Sequence, residues 1–164
     1  MTTAAVLDEL AERGLTLAVA ESVTGGRLAA SFTSVPGASR VFVGGVVSYA
    51  TAVKVSVLGV EQALVDTEGV ISAACAEAMA AGVRRVLDAD VSLATTGVAG
   101  PDEQEGHPAG TAYVGLAWSE GSLSRRLSLS GDRSSIQDAV CQVAVALLED
   151  WLGDRLPQEQ PRLG

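Results

Sequence analysis

Lysine is nearly missing from this chain. Ten of its eleven basic residues are arginine, and Lys54 is the exception. The formal net charge is −9, so the clustered cations that displace counterions from nucleic acid are lacking, and no nucleic-acid partner is expected. The pairs Arg84-Arg85 and Arg125-Arg126 read as solvated surface charges. Histidine is limited to His107. With no Cys-x-x-Cys or His-x-x-x-His spacing, the common zinc sites are excluded and no metal is expected. Only two cysteines are present. Cys75 and Cys141 fall inside Ala/Val-rich helical patterns and read as small buried thiols. No apolar run is long enough to cross a bilayer, and the N-terminus lacks the basic start and apolar core of a signal peptide. A cytoplasmic protein without a membrane partner is expected. Aromatics are 4% of residues against 48% hydrophobic, so the core must be built from Val, Ala and Leu.

What is present fits one domain, residues 1–156, with a polar, Pro-containing tail at 157–164 that is expected to fray. Helices are expected at 3–13, capped by Thr3, at 25–34, at 51–58, capped by Thr51, at 61–67, at 72–87, capped by Ser72, and at 136–152. Strands are expected at 15–20, 41–49, 91–96, 111–118 and 123–130, the last two forming a hairpin across 119–122. Gly44-Gly45 reads as a bulge or a close approach. Residues 103–110 read as exposed and mobile. Alternating strands and helices with one hairpin predict an α/β fold, a three-layer α/β/α sandwich around a mixed sheet.

Two predicted strands end in glycine loops, where ligands collect in open α/β sheets. The first runs into Glu21-Ser22-Val23-Thr24-Gly25-Gly26. Ser22 or Thr24 serves there either as an ordinary helix N-cap or as part of a site, with the first helical N–H groups holding an anion or oxyanion. The second is Gly97-Val98-Ala99-Gly100-Pro101. The spacing fits neither a phosphate-binding P-loop, nor a dinucleotide fingerprint, nor a nucleophile elbow. A Ser-His-Asp triad would have to use His107, remote from Ser22 in sequence.

Arginine keeps its proton in a protein, whereas a desolvated lysine can lose it. Lys54 is either a surface charge or a base. Tyr49 is either a core-edge aromatic or its partner. The two are five apart and meet only if strand changes to helix between them. A serine, a lone lysine and a tyrosine then make a Ser-Lys hydrolase. Arg133 is either a solvated charge at a helix start or a bidentate ligand for phosphate or carboxylate.

The ordered set Glu21-Ser22-Val23-Thr24-Gly25-Gly26, Val35-Pro36-Gly37, Gly44-Gly45-Val46-Val47-Ser48-Tyr49 through Lys54, Thr96-Gly97-Val98-Ala99-Gly100-Pro101, Gly110-Thr111 and Gly131-Asp132-Arg133 resembles the CinA C-terminal family, over residues 6–152 and in its stand-alone form. The resemblance implies a mixed sandwich, usually a homo-oligomer, that hydrolyses the carboxamide of nicotinamide mononucleotide to nicotinate mononucleotide and ammonia, without cofactor or metal. Ser22 matches the family's nucleophile, Lys54 its base and Tyr49 its hydroxyl partner. Thr96 and Arg133 match residues of the active site and substrate. Thr24, Gly25 and Gly26 are expected to shape the loop and oxyanion site, and Gly97, Gly100 and Arg133 to hold phosphate or ribose. Val23 departs from the family's usual Cys and is expected to point inward. The loop 102–108 departs from a more glycine-rich pattern. The alternative is a non-catalytic nucleotide-binding or regulatory module linked to competence or DNA damage, which keeps the glycine loops but has no use for a titrating Lys54.

Overall fold

The structure, a computed structural model, describes residues 1–156; the expected tail at 157–164 lies outside the described residues. The strands are β1 (Leu17–Glu21), β2 (Phe42–Val47), β3 (Val91–Gly97), β4 (Thr111–Trp118) and β5 (Gly121–Ser128). The helices are α1 (Thr3–Glu12), α2 (Arg27–Thr33), α3 (Thr51–Ser56), α4 (Gln62–Glu68), α5 (Ala73–Val86) and α6 (Arg133–Leu152). The sheet order is β2-β1-β3-β4-β5. β1 runs parallel to β2 and β3, while β4 runs antiparallel to both of its neighbours, β3 and β5. The protein is thus a mixed-sheet α/β/α sandwich.

Alternation along β1 divides the core. Leu17 and Val19 join α1, α2 and α6 in one cluster, and Ala18 and Ala20 join α5 in the other. Both faces are covered, so β1 is buried throughout and reads as a continuous apolar run. At the Gly44-Gly45 pair the close approach occurs, and a register shift lies just before it. Leu17 lies opposite Phe42 and Ala18 opposite Gly44, so Val43 is the bulged residue. A Cβ on Gly45 would sit 2.7 Å from Val19 Cγ2.

Several boundaries differ from expectation. Thr2, not Thr3, caps α1 by accepting from the Ala5 N–H. Thr51 is the first residue of α3 rather than its cap, which is Ala50 and has no side-chain bond to give. α6 starts three residues early, at Arg133, because Asp132 caps it through the Ser135 N–H; apolar periodicity marks only the packed part of a helix. Gly121 and Ser122 pair with Trp118 and Ala117, so the hairpin connection shrinks to Ser119-Glu120. Neighbouring-strand pairing overrides the turn preference of Gly and Ser. Cys75 and Cys141 are free and buried, as expected.

For function, one alignment matters. β1 and β3 are adjacent and parallel, with Glu21 opposite Thr95. Their C-terminal ends therefore release Ser22 and the 97–100 loop at the same edge of the sheet.

Candidate functional site

The chain leaves β1 at Glu21 without leaving the sheet at once. The Ser22 N–H donates to the Thr95 carbonyl, and the Ser48 N–H donates to the Glu21 carbonyl. Ser22 is thereby fixed between the ends of β2 and β3. β2 stops at Val47, and α3 starts at Thr51, the switch that brings Tyr49 and Lys54 together. Lys54 comes to lie under the strand ends, only 1% exposed. Its Nζ donates to Ser22 Oγ at 2.9 Å, to the Ser48 carbonyl at 2.7 Å and to the Tyr49 carbonyl at 3.2 Å.

No carboxylate among the described residues forms an ion pair with Lys54. Desolvation by burial holds its pKa below the ordinary lysine value. Cys75 and Glu105 oppose this. Burial pushes the Cys75 thiol up to about 11, so at neutral pH Cys75 is uncharged and the Glu105 carboxylate is the opposing charge that remains. A neutral Lys54 has two N–H bonds and one lone pair. The two carbonyls can take the N–H bonds, which leaves the lone pair for the Ser22 hydroxyl. With Lys54 in that neutral form, the geometry lets Nζ accept a proton from Ser22 Oγ.

Ser22 and Lys54 open onto a cavity of about 460 Å³, walled also by Tyr49, Thr96, Gly97, Gly100 and Arg133. Arg133 donates to the Gly100 carbonyl at 2.8 Å and to the Tyr49 hydroxyl at 3.1 Å. It bridges the rim, with guanidinium N–H groups left for a ligand. Thr96 Oγ1 donates to the Val70 carbonyl at 2.6 Å, joining two walls. The Ala99 and Gly100 N–H groups, on buried wall residues, have no hydrogen-bond partner among the described residues.

Three expectations need correction. The Tyr49 hydroxyl does not reach Lys54 or Ser22. Tyr49 is 62% exposed, with its hydroxyl on Arg133, and only its backbone carbonyl meets Lys54. The first N–H groups of α2 do not face a ligand, because Glu21 has taken them: Gly26, Leu28 and Ala29 all donate to its carboxylate. Nor do Thr24, Gly25 and Gly26 line the cavity. The Thr24 hydroxyl is buried between Glu21 and Thr95. Gly25 and Gly26 serve the turn, with φ of 56° and 107° that a side chain would resist. Val23 points inward, 4% exposed in the core cluster. His107 is not on the cavity wall. Among the described residues no cluster of His, Cys, Asp or Glu is arranged to hold a metal.

Sequence reasoning missed Glu21, Ser48 and Glu105. Glu21 carried a signal, a carboxylate closing an apolar strand, which must be paired if buried. Glu105 belongs to a loop expected to be mobile. Its carboxylate instead accepts from the Val70 and Ile71 N–H groups at 3.1 to 3.2 Å, and Gln104 and His107 bridge across the loop.

Residues 1–152 match the family model described as the CinA C-terminal domain. A CinA-like protein of Frankia casuarinae is 52% identical over 90% of this chain and 34% of its own length. A putative competence-damage inducible protein of Geobacillus kaustophilus is 48% identical over 80% of this chain and 32% of its own. The chain thus spans about a third of the length of these relatives. Among solved structures, the competence damage-inducible protein A (ComA) of Klebsiella pneumoniae is 30% identical with a TM-score of 0.88, covering 93% of this chain and 98% of that one. The competence-damaged protein superfamily member of Escherichia coli gives 30% and 0.88, covering 91% and 87%. With the family model matched over residues 1–152 and the same fold in these solved relatives, the chain belongs to the CinA C-terminal domain family.

Proposed function

We propose that the protein is a Ser-Lys amidohydrolase that converts nicotinamide mononucleotide to nicotinate mononucleotide and ammonia. The observation that carries this reading is the buried, ion-pair-free Lys54 Nζ at 2.9 Å from Ser22 Oγ on a cavity wall. A regulatory module has no need to bury a lysine against a hydroxyl, because desolvating an unpaired amine costs free energy. A nucleophile and its base have that need.

The Ser22 oxygen bonds to the carboxamide carbon while its proton passes to Lys54 Nζ. The tetrahedral adduct collapses as Lys54 returns that proton to the amide nitrogen, the C–N bond breaks and ammonia leaves. Water then attacks the ester. Lys54 takes a water proton and restores it to Ser22 Oγ, and the acid departs. The cavity volume of about 460 Å³ lies in the usual range for small-molecule sites, about 300–1,000 Å³. Among the described residues Arg133 is the one arginine on the cavity wall, beside the unpartnered Ala99 and Gly100 N–H groups, and these suit a 5′-phosphate.

The test is ammonia release from nicotinamide mononucleotide by the purified protein, with chelator present. Sustained release supports the reading. A protein that binds the nucleotide without releasing ammonia would be the nucleotide-binding module instead. Arg133→Ala should raise KM for the mononucleotide by about tenfold, the equivalent of one charge-assisted bond at an exposed rim, and leave kcat nearly intact. Nicotinamide riboside, which has no phosphate, should show no such change. Equal effects on both substrates would remove Arg133 from the phosphate.

The acidic limb of kcat/KM should reflect Lys54, rising with pH as the ammonium loses its proton, with a midpoint below the ordinary lysine value. Glu105→Gln removes a carboxylate that favours the ammonium, so the limb should move to lower pH. A limb that stays in place or moves upward would show that the Glu105 charge is not felt at the base.

A further inference from the structure

One side of the catalytic cavity is made by a surface loop. Pro101, Asp102, Glu103 and Gln104 line the cavity with Ser22 and Lys54, yet residues 101–106 are all exposed. The ends of the loop meet at its base. A Cβ on Gly100 would lie 2.6 Å from the Ala109 Cβ, and the Gly110 N–H donates to the Val98 carbonyl at 2.7 Å. This is the form of an Ω-loop, a compact excursion with closed ends. Its tip is folded on itself, because Gln104 and His107 exchange backbone hydrogen bonds at 3.0 and 2.9 Å. From Pro101 to His107, one group alone bonds outside the loop among the described residues. It is the Glu105 carboxylate, which accepts from the Val70 N–H at 3.1 and 3.2 Å and from the Ile71 N–H at 3.2 Å. Val70 and Ile71 are buried and line the same cavity. Gly69 makes room for the contact, since a Cβ there would run into Glu105 Oε2. The Val70–Ile71 peptide is held at both ends, its carbonyl by Thr96 Oγ1 and its N–H by Glu105.

We propose that residues 101–109 form a lid over the catalytic cavity, and that Glu105 is the positioning residue that latches it shut. The inference rests on the amidase reading above for the ligand that the lid covers. The base of the loop and the receiving peptide are both fixed, while the tip is tied down by a single side chain. Breaking that tie frees the tip and leaves the base in place, so the opening is local. Water replaces the lost bonds on the carboxylate and on the two N–H groups, which keeps the opening cheap. A nucleotide that touches residues 101–104 binds the closed form better and shifts the population toward it. Closure then commits the substrate, and reopening releases the product. The latch also bears on the chemistry. The Glu105 carboxylate favours a protonated Lys54, so the closed lid supplies a charge for the ammonium that forms when Ser22 gives up its proton.

The first test is hydrogen exchange in Ser22→Ala saturated with nicotinamide mononucleotide. The Val70 and Ile71 amides, which exchange only when the latch opens, should slow about tenfold relative to the free protein. Unchanged exchange at these two amides would overturn the lid. The second test is kinetic. Glu105→Ala should speed exchange at Val70 and Ile71 and raise KM for the mononucleotide about tenfold, with kcat on the pH plateau nearly unchanged, because bound nucleotide restores the closed form. Glu105→Gln, which keeps one acceptor oxygen, should raise KM only about threefold. Both variants remove the same charge, so they should share one shift of the acidic limb and differ in KM. A merely structural role would speed exchange throughout α5 and the sheet and would not order the two variants by KM. Wild-type KM in both would overturn the latch. The exchange experiment on Ser22→Ala decides the lid even if Glu105→Ala fails to fold. The two levels separate cleanly. Protection by the nucleotide with no ammonia from the wild type would remove the amidase reading and leave the lid. Sustained ammonia release without protection would remove the lid alone.

Discussion

Lys54→Arg should reduce ammonia release by about a thousandfold, the middle of the range for losing a general base, although the positive charge is kept. Arginine cannot give up its proton in a protein and has no lone pair to offer a hydroxyl. The guanidinium is also larger than an ammonium in a site 1% exposed to solvent, so Lys54→Met is the companion variant. It nearly matches the lysine stem in length and removes both charge and base. It leaves the Ser48 and Tyr49 carbonyls without their donor, but it also relieves the desolvation of an unpaired amine. Lys54→Met should therefore fold, and both variants should lack the wild-type activity over the whole pH range. Activity above about a tenth of wild type in Lys54→Arg would show that charge, not proton transfer, is what the site requires.

The second large effect is on Ser22. Ser22→Ala should abolish turnover to within measurement, a loss of about 10³-fold or more, because among the described residues no other hydroxyl is bonded to Lys54 Nζ. Affinity for the nucleotide should change little, since the Ser22 hydroxyl is engaged with Lys54 and not reserved for ground-state contacts. Mass spectrometry of acid-quenched wild type should find a nicotinoyl ester, with the nucleotide attached, on the peptide containing Ser22. The variant should show no adduct. Turnover by Ser22→Ala at more than a few per cent of wild type would mean that water, and not Ser22, attacks the amide.

The two effects are coupled by geometry. Ser22 Oγ, the Ser48 carbonyl and the Tyr49 carbonyl surround Nζ, so removing either member of the pair disables the same proton path. The double variant Ser22→Ala/Lys54→Met should be hardly worse than either single one, the non-additivity expected of residues that act as a unit.

Several features of the protein follow from its order of residues alone. The apolar run ending at Ala20, the alanine-rich stretch that became α5, and the hairpin of β4 and β5 declare themselves by periodicity, because burial on one or both faces imposes a repeat that no tertiary detail can hide. Lys54 stood out because arginine carries every other basic position. Tyr49 and Lys54, five apart, can meet only if strand changes to helix between them, and the chain makes that change at residues 48–50. What stayed hidden depends on contacts between segments far apart in sequence. Sequence proximity suggests Lys54 for Tyr49, whereas the partner of its hydroxyl, Arg133, is 84 residues away. The α2 terminus looked open because nothing in a linear reading shows that the Glu21 side chain folds forward onto it, seven and eight residues on. Glu105 lies in a loop that reads from sequence as exposed and mobile, and its carboxylate gains its role only from the turn before α5, 34 to 35 residues away. Sequence determines which residue types are available at the strand ends. Only the packed sheet decides which backbone groups are already satisfied, and therefore which remain for a substrate.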